Sequence, residues 1–158
     1  QYLFASRYCP LHGFEDFIAG QFGRTQGGDL ISAMADWLHG NIRYLAGSSH
    51  EFTTALETYQ NGKGVCRDYA HLLIAMARCV GIPARFVSVY SPDVKPMDFH
   101  AVAEVFLDGG WHLVDATGMA NAQSMVVIGL GRDATDVSFL TSFGTVQLNS
   151  MNVHVATD

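Results

Sequence analysis

The chain of 158 residues is long enough for one domain with a hydrophobic core. Hydrophobic residues make up 49% of it and charged residues 15%, which excludes a disordered or low-complexity segment. The net charge of −6 and the lack of a basic run argue against nucleic acid, and no stretch of about 18 apolar residues could span a bilayer. We therefore expect neither a nucleic-acid partner nor a membrane partner.

The three cysteines, Cys9, Cys66 and Cys79, lack the close spacing of zinc or redox motifs. An odd number of thiols without a disulfide framework favours a reducing compartment, so we predict a cytoplasmic protein. The sequence opens at Gln1 without an initiator methionine or a signal-peptide pattern. We expect the chain to be the C-terminal part of a longer protein and to form one domain over 1–158.

Helical patterns dominate the first half of the chain. Asp29 can cap a helix whose apolar residues recur at helical spacing and which ends near Gly40. Thr54 and Glu57 have the spacing of a capping box, which predicts a short helix over 55–60. The first half therefore supplies at least two helices.

A further predicted helix follows the turn-rich segment 61–64 and covers 65–80. It is apolar on most sides, with a glycine before it and Gly81 after it. A helix with this pattern is expected to be central and buried.

Strand patterns replace helical ones after Pro83, which cannot continue a helix. Residues 84–90 are rich in β-formers, and a loop separates them from a predicted hairpin of strands 99–107 and 111–115 around the turn 108–110. Helices followed by an antiparallel sheet predict an α+β domain. Further strands are predicted at 125–128 and in the alternating tail, which contains Val146, Leu148, Val153 and Val155.

Cys66 lies at the first turn of the predicted buried helix. Free backbone N–H groups and the helix dipole at that position favour a thiolate over a thiol. The same N–H groups could hold the oxyanion that forms when a thiolate attacks a carbonyl group. We expect Gly64 to let a substrate approach this backbone, and Arg67 and Asp68 to form ion pairs that hold the helix start.

His100 and Asp115 are the candidate partners of that thiol. An imidazole can accept the thiol proton, and a carboxylate can fix the imidazole tautomer and stabilise its cation. Both residues lie at the open end of the predicted hairpin, so its closure brings them into one neighbourhood. The sequence does not fix the register, so direct contact stays open.

A second oxyanion donor is often needed in a thiol acyl-transfer site, and two side chains are candidates. Tyr44 is predicted to end the helix before the loop, and Gln60 precedes Cys66 by six positions. A packing or turn role is the alternative for both. His71 lies about 140° from Cys66 around the helix axis, so we expect it to be structural.

Four blocks of the sequence, taken in order, carry a family resemblance. They are GVCRDYA at 64–70, GIPAR at 81–85, HAVAEV at 100–105 and WHLVDAT at 111–117. Together they resemble the core of bacterial transglutaminase-like proteins. The resemblance implies a transglutaminase-like, papain-like fold, in which a cysteine on a helix faces histidine and aspartate on an antiparallel sheet.

The resemblance also implies roles for the site residues: Cys66 is the nucleophile, His100 the base and Asp115 the residue that orients the imidazole. Many relatives have tryptophan and proline where this chain has Val102 and Ala116, so substrate specificity does not transfer from better-known members.

The N-terminal stretch 6–10 resembles the junction at which such bacterial proteins leave a preceding β-rich domain. We therefore expect that domain as a neighbour in the full-length protein.

The predicted function is cysteine-dependent acyl transfer on amide substrates, with a protein or peptide donor and a thioester on Cys66. Transfer to water gives a protease or amidase, and transfer to an amine gives a transglutaminase; we favour hydrolysis. No cofactor is required. The alternatives are a non-catalytic binding module that retains the fold, and a zinc site on Cys66, His100 and Asp115.

Overall fold

A computed structural model describes residues 1–156 of the chain. Within them, helices and strands follow the predicted order, and the α+β class is confirmed. No helix in this part of the chain has the length and apolar character needed to cross a bilayer. The elements are α1 (Glu15–Phe22), α2 (Gly27–Asn41), β1 (Arg43–Tyr44), α3 (Ala55–Asn61), β2 (Lys63–Gly64), α4 (Cys66–Cys79), β3 (Ala84–Tyr90), β4 (His100–Leu107), β5 (Gly110–Val114) and β6 (Val126–Gly131).

Helix α4 is the centre of the core, as its apolar pattern predicts. Residues 68–78 are all buried, and the helix packs against β3, β4, α2 and α3. Leu72, Leu73 and Met76 are fully enclosed, and burial of each such side chain contributes about 1.5–3 kcal/mol. The helix is therefore a fixed platform, and its first residue, Cys66, packs at the edge of the core.

The starts of α3 and α2 differ in how well the sequence predicted them. The Thr54 N–H donates to Glu57 Oε2 at 2.8 Å and the Glu57 N–H donates to Thr54 Oγ1 at 3.3 Å, which completes the predicted capping box. In α2, Gln26 is the N-cap residue and Asp29 lies inside the first turn. The prediction that Asp29 caps α2 was wrong because Gly27, with φ of 57°, turns the chain into the helix earlier.

The four-stranded antiparallel sheet has the strand order β5-β4-β3-β6. Strands β4 and β5 form the predicted hairpin, and its turn residues Asp108 and Gly109 have φ values of 50° and 80°, as a type I′ turn requires. The register places His100 at the start of β4 and Asp115 directly after β5. Both residues therefore lie at the open end of the hairpin.

The strand predicted at 125–128 is part of β6, which pairs with β3. The strands predicted in the tail were wrong, because residues 138–156 contain neither helix nor strand. Val146 and Leu148 are both 59% exposed. Alternation of apolar residues specifies a strand only where one face packs against a core, and the tail has no such contact for these side chains.

Strands β1 and β2 form a parallel pair of two residues each, which the sequence did not predict. Tyr44 lies opposite Gly64, and the Leu45 N–H donates to the Gly64 carbonyl oxygen at 3.0 Å. Tyr44 is therefore in a strand beside the start of α4. The prediction that it ends the preceding helix was wrong, because α2 stops at Asn41.

Candidate active site

The first turn of α4 is held by Asp68. Its carboxylate accepts a hydrogen bond from the Val65 N–H at 2.8 Å and pairs with the Arg67 guanidinium at 2.9 Å. Arg67 also donates to the His50 carbonyl oxygen at 2.8 Å. The ion pair expected at the helix start is therefore present, and it fixes the position of the half-buried Cys66.

Gly64 has a different role from the expected one. A Cβ atom at this position would lie 2.7 Å from Asp68 Cβ, closer than real contacts allow. Gly64 is also buried, so it does not open the backbone to a substrate. A glycine is required here because the Asp68 side chain packs directly over it.

His100 and Asp115 are in direct contact. The His100 Nε2–H donates to Asp115 Oδ2 at 2.8 Å, and the two side chains are only 1% and 4% exposed. Because Nε2 is engaged by the carboxylate, Nδ1 is the ring nitrogen left for the Cys66 thiol, which lines the same pocket as the imidazole. The proximity expected from the hairpin is present, and the register that the sequence left open allows the contact.

Asp115 is fixed by four hydrogen bonds besides the one from His100. The Thr117 N–H and Oγ1–H donate to Oδ1 at 2.9 and 2.7 Å. The N–H groups of Met119 and Ala120 donate to Oδ2 at 3.1 and 2.9 Å. A carboxylate with this many donors stays ionised and cannot rotate away from the imidazole.

The electrostatics of the pair favour an imidazolium. Burial lowers the pKa of His100, but the hydrogen bonds to Asp115 and Cys66 and the negative charges of both outweigh it and raise the pKa to about 9. Burial raises the pKa of Asp115, and the hydrogen bond and positive charge of His100, with the bonds from Thr117, lower it overall. His100 is therefore mostly protonated at neutral pH beside an ionised Asp115.

Cys66 and His100 line one pocket of about 430 Å³. Tyr44 stands at the thiol, where burial first and the negative charge of Cys66 second raise the pKa of the phenol to about 12. The hydroxyl group of Tyr44 therefore stays protonated at neutral pH and keeps a proton to donate.

Gln60 is the other predicted oxyanion donor, and the structure does not bring it to the pocket. It is exposed on the last turn of α3 and is not among the residues that line the cavity with Cys66 and His100. Its side chain makes no hydrogen bond within the described residues. Tyr44 does not line this cavity either, but the β1–β2 pair places it opposite Gly64, beside the start of α4.

A second set of cysteine, histidine and aspartate surrounds the same helix. His71 is buried, stacks on Tyr8 with ring centroids 4.9 Å apart, and accepts a hydrogen bond from the Ala134 N–H through Nε2 at 3.1 Å. Cys9 donates to the His71 carbonyl oxygen at 3.5 Å. Asp133 binds the Tyr8 N–H at 3.0 Å rather than an imidazole. His71 does not face Cys66 and is structural, as its helical position indicates.

Thr117 and His39 support the site, and the sequence did not predict either role. Thr117 holds Asp115, as described above, and its carbonyl oxygen lies 3.0 Å from His39 Nδ1. Gly118 has a φ of 69°, and a Cβ there would lie 3.1 Å from the His39 ring. The Asp-x-Thr spacing is a local signal that could have identified Thr117. The contact with His39 spans 78 positions and has no sequence signal.

The zinc alternative does not fit the arrangement of the three residues. The His100 imidazole is bonded to Asp115 through Nε2, and the carboxylate oxygens of Asp115 are taken by N–H and O–H donors. Within residues 1–156, no three side chains of His, Cys, Asp or Glu form a group that could hold a metal ion. A metal site needs ligands that converge on one point.

The fold defines a class of protein: a buried helix that begins with cysteine packs on an antiparallel sheet, as in transglutaminase-like and papain-like proteins. The sequence profile of the transglutaminase-like superfamily matches residues 17–116, so the chain belongs to that superfamily. The resemblance carried by the four sequence blocks is thereby confirmed.

Two solved structures have related folds. A proposed cysteine protease from Cytophaga hutchinsonii is 38% identical with a TM-score of 0.83, and the match covers 87% of this chain and 48% of that protein. The periplasmic domain of TgpA from Pseudomonas aeruginosa has a TM-score of 0.56 at 23% identity, and covers 75% of this chain and 46% of its own. At that identity, the second structure supports the fold alone.

Mycobacterial proteins are similar in sequence. An uncharacterized protein of Mycobacterium tuberculosis is 30% identical over an aligned length of 139, and the match covers 78% of this chain and 44% of that protein. An uncharacterized protein of Mycobacterium leprae is 28% identical over an aligned length of 116, and the match covers 68% of this chain and 42% of that protein. This chain therefore spans less than half the length of the curated relatives that it matches.

Proposed function

We propose that the chain is a cysteine-dependent acyl-transfer enzyme that acts on amide bonds of proteins or peptides. Cys66 is the nucleophile, His100 the general acid and base, and Asp115 the residue that orients the imidazole. The observation that carries the proposal is the 2.8 Å bond from His100 to a fixed Asp115, on an imidazole that lines the same pocket as Cys66. This is the arrangement that thiol nucleophiles need for activation.

The first half-reaction forms a thioester. The Cys66 thiolate attacks the carbonyl carbon, a C–S bond forms, and the carbonyl electron pair moves to oxygen. The resulting oxyanion accepts a hydrogen bond from the Cys66 backbone N–H at the start of α4, and the Tyr44 hydroxyl group is the proposed second donor. When the intermediate collapses, the C–N bond breaks, and the His100 imidazolium gives its proton to the leaving nitrogen.

The second half-reaction releases the acyl group. The neutral imidazole of His100 takes a proton from water as the water oxygen attacks the thioester carbon. The C–S bond then breaks, which restores the thiolate beside an imidazolium. Asp115 stabilises the cation in both halves, because its carboxylate stays bound to Nε2 throughout. An amine in place of water would make the reaction a transamidation.

Hydrolysis is the outcome that we favour. Among the solved relatives, the proposed cysteine protease of Cytophaga hutchinsonii matches most of this chain at 38% identity. A protease or amidase of this kind requires only a water molecule as the second substrate, and no cofactor. The cytoplasm remains our proposed location, since the three cysteines are free thiols. The preceding β-rich domain remains a proposal for the full-length protein.

Intact-mass analysis tests the proposal. The protein is incubated with p-nitrophenyl esters of N-acetyl amino acids, quenched in acid, weighed and mapped by peptide digestion. We expect one acyl group on the peptide that contains Cys66, no adduct in Cys66→Ala, and an unchanged adduct in the matched control Cys9→Ala. An adduct of the same yield in Cys66→Ala would overturn the proposal, as would no adduct with any donor. Either result would favour the binding-module alternative.

A further inference from the structure

The pocket beside Cys66 has an apolar lining. Its floor is formed by the sheet, through side chains of β3 and β6, and one wall is formed by the segment 134–139 that follows β6. Phe99 also lines the pocket and packs edge-on against Phe139, with ring centroids 5.4 Å apart. The large apolar side chains of the lining are Phe86, Phe99, Ile128, Val137 and Phe139.

Apart from Cys66 and His100, the described residues that line the pocket include no charged side chain without an ion-pair partner. Arg67 is the one other charged side chain of its lining, and its guanidinium is already bonded to Asp68 Oδ1 and to the His50 carbonyl oxygen. No Asn, Gln, Asp, Glu or Lys lines the pocket within the described residues. The remaining polar side chains of the lining are Ser88 and Ser138, and the Ser138 hydroxyl already donates to the Thr135 carbonyl oxygen at 3.3 Å. A charged side chain of a substrate would therefore lose its water without gaining a partner of opposite charge, and an amide would gain at most a serine hydroxyl.

The start of the pocket wall is held by buried groups. The Ala134 N–H donates to His71 Nε2 at 3.1 Å, and the Thr135 N–H donates to Asp133 Oδ1 at 2.8 Å. Burial lowers the pKa of His71 to about 3, so the ring stays neutral and keeps its acceptor. Val137, further along the wall, packs against the hydrophobic core.

We propose that this pocket binds the side chain of the residue whose carbonyl group Cys66 attacks, and that it selects a large apolar or aromatic side chain over glutamine, glutamate or lysine. The inference rests on the proposed function, because it assigns a substrate class to the same site. A volume of about 430 Å³ next to the nucleophile is in the range of small-molecule sites. Apolar contacts with one substrate side chain account for a discrimination of about 10- to 200-fold.

The test compares acylation rates of Cys66 with p-nitrophenyl esters of N-acetyl-Phe, N-acetyl-Leu, N-acetyl-Gln and N-acetyl-Glu. Each rate is corrected for the ester's reaction with free N-acetylcysteine. We expect the corrected rate constants for Phe and Leu to exceed those for Gln and Glu by about 50-fold.

A charge-introducing variant and its matched control sharpen the test. Ile128 and Val127 are neighbours on β6 with similar exposure, 47% and 45%, but only Ile128 lines the pocket. We expect Ile128→Lys to slow the Phe donor by about tenfold and to accelerate the Glu donor, because the new ammonium group faces the bound side chain. Val127→Lys should keep the wild-type profile.

The outcomes separate the two proposals. If the wild-type protein is acylated on Cys66 but reacts equally with all four donors, or if the two lysine variants behave alike, the apolar-pocket inference is wrong and acyl transfer stands. If no donor acylates Cys66, both proposals fall. Thermal melting of both variants checks their folding, and the donor comparison on the wild-type protein does not depend on it.

Discussion

Two sets of cysteine, histidine and aspartate lie around helix α4, and they differ in every property that matters for catalysis. The first contains Cys66, His100 and Asp115, and the second contains Cys9, His71 and Asp133. In both, the aspartate opens an Asp-Ala-Thr sequence whose threonine N–H donates to Oδ1, at 2.9 Å in the first and 2.8 Å in the second. Residue types and local turn geometry are thus shared.

The two sets differ in the partner of the other carboxylate oxygen, Oδ2, of the aspartate. In the first set, Asp115 Oδ2 binds the imidazole of His100. In the second set, Asp133 Oδ2 binds the Tyr8 backbone N–H, and His71 is an acceptor from a backbone amide. The His100 imidazole is therefore bonded to a carboxylate, whereas the His71 imidazole is bonded to the backbone of the loop that follows β6.

The pKa values diverge accordingly. Partners raise the pKa of His100 to about 9, whereas burial lowers that of His71 to about 3. Burial also raises the pKa of the Cys9 thiol to about 12, against a smaller opposing effect of Arg78. Of the two sets, the first has the carboxylate–imidazole bond and the half-buried thiol that the proposed triad requires.

The largest expected difference between the sets is the loss of each cysteine. Cys66→Ala should reduce acyl transfer to background, about 10⁴-fold or more, because no covalent intermediate can form. Cys9→Ala should keep the rate within about twofold and lower the free energy of unfolding by about 1 kcal/mol, through a small cavity. Steady-state rates and urea unfolding measure the two effects. Equal loss of activity in both variants would contradict the assignment.

The two histidines provide the next contrast. His100→Ala should slow acylation by about 10³-fold, since proton transfer contributes about 10²- to 10⁴-fold. His71→Ala should lower the free energy of unfolding by about 2–4 kcal/mol by removing a fully buried side chain, with a smaller effect on the reaction of Cys66 with a small reagent such as iodoacetamide. Alkylation kinetics on folded protein separate the two.

His100 and His71 should also make the free energy of unfolding depend on pH in opposite directions. The raised pKa of His100 stabilises the fold fully below about pH 6.5, its ordinary value, and this contribution is lost as the pH rises through about 9. The lowered pKa of His71 leaves stability intact above about pH 6.5 and costs stability as the pH falls toward about 3.

Urea unfolding across pH 4 to 10 measures these contributions in the wild-type protein, His100→Gln and His71→Gln. We expect His100→Gln to flatten the alkaline decline and His71→Gln to flatten the acidic one. If His100→Gln flattened the acidic decline and His71→Gln the alkaline one, the pKa shifts of the two histidines would have the opposite directions. Acylation should also decline above about pH 9, where the imidazolium that protonates the leaving nitrogen is lost.

The smallest effect is expected from the two threonines. Thr117→Val removes the 2.7 Å bond from Oγ1 to Asp115 and leaves the N–H bond in place. We expect acylation to slow about fivefold, or about 1 kcal/mol. Thr135→Val makes the same substitution in the Asp-Ala-Thr sequence of Asp133 and should not alter the rate. A shift of the alkaline limit in Thr117→Val alone would identify a positioning role, which loss of stability would not produce.

Much of the fold follows from local patterns. The strand predicted at 84–90 has the bounds of β3, Ala84–Tyr90, because β-formers lie between a proline and a turn. The capping box of Thr54 and Glu57 is a contact between residues three apart and is visible in sequence. Tertiary pairing, as between β1 and β2, joins Tyr44 to Gly64 over twenty positions and leaves no local pattern.

The sequence predicted those site residues that lie at the ends of helices and strands. Cys66 begins a helix, and His100 and Asp115 flank a hairpin whose turn is marked by Asp108 and Gly109. The packing reason for Gly64 was not predictable, because it depends on where the Asp68 side chain lies. The choice of Tyr44 over Gln60 was also open, since it depends on the β1–β2 pair.

Alkylation of the three thiols by iodoacetamide at pH 6 tests the central claim most directly, because it needs no substrate. If the imidazolium of His100 holds Cys66 as a thiolate, Cys66 should react about 100-fold faster than Cys79, and Cys9 should stay unlabelled in the folded protein. Burial raises the pKa of Cys79, with the charge of Glu15 adding to it, so it is the appropriate half-buried reference. In His100→Ala, Cys66 should fall to the rate of Cys79. Equal rates for Cys66 and Cys79 in the wild-type protein, or a fast Cys66 in His100→Ala, would contradict an activated nucleophile.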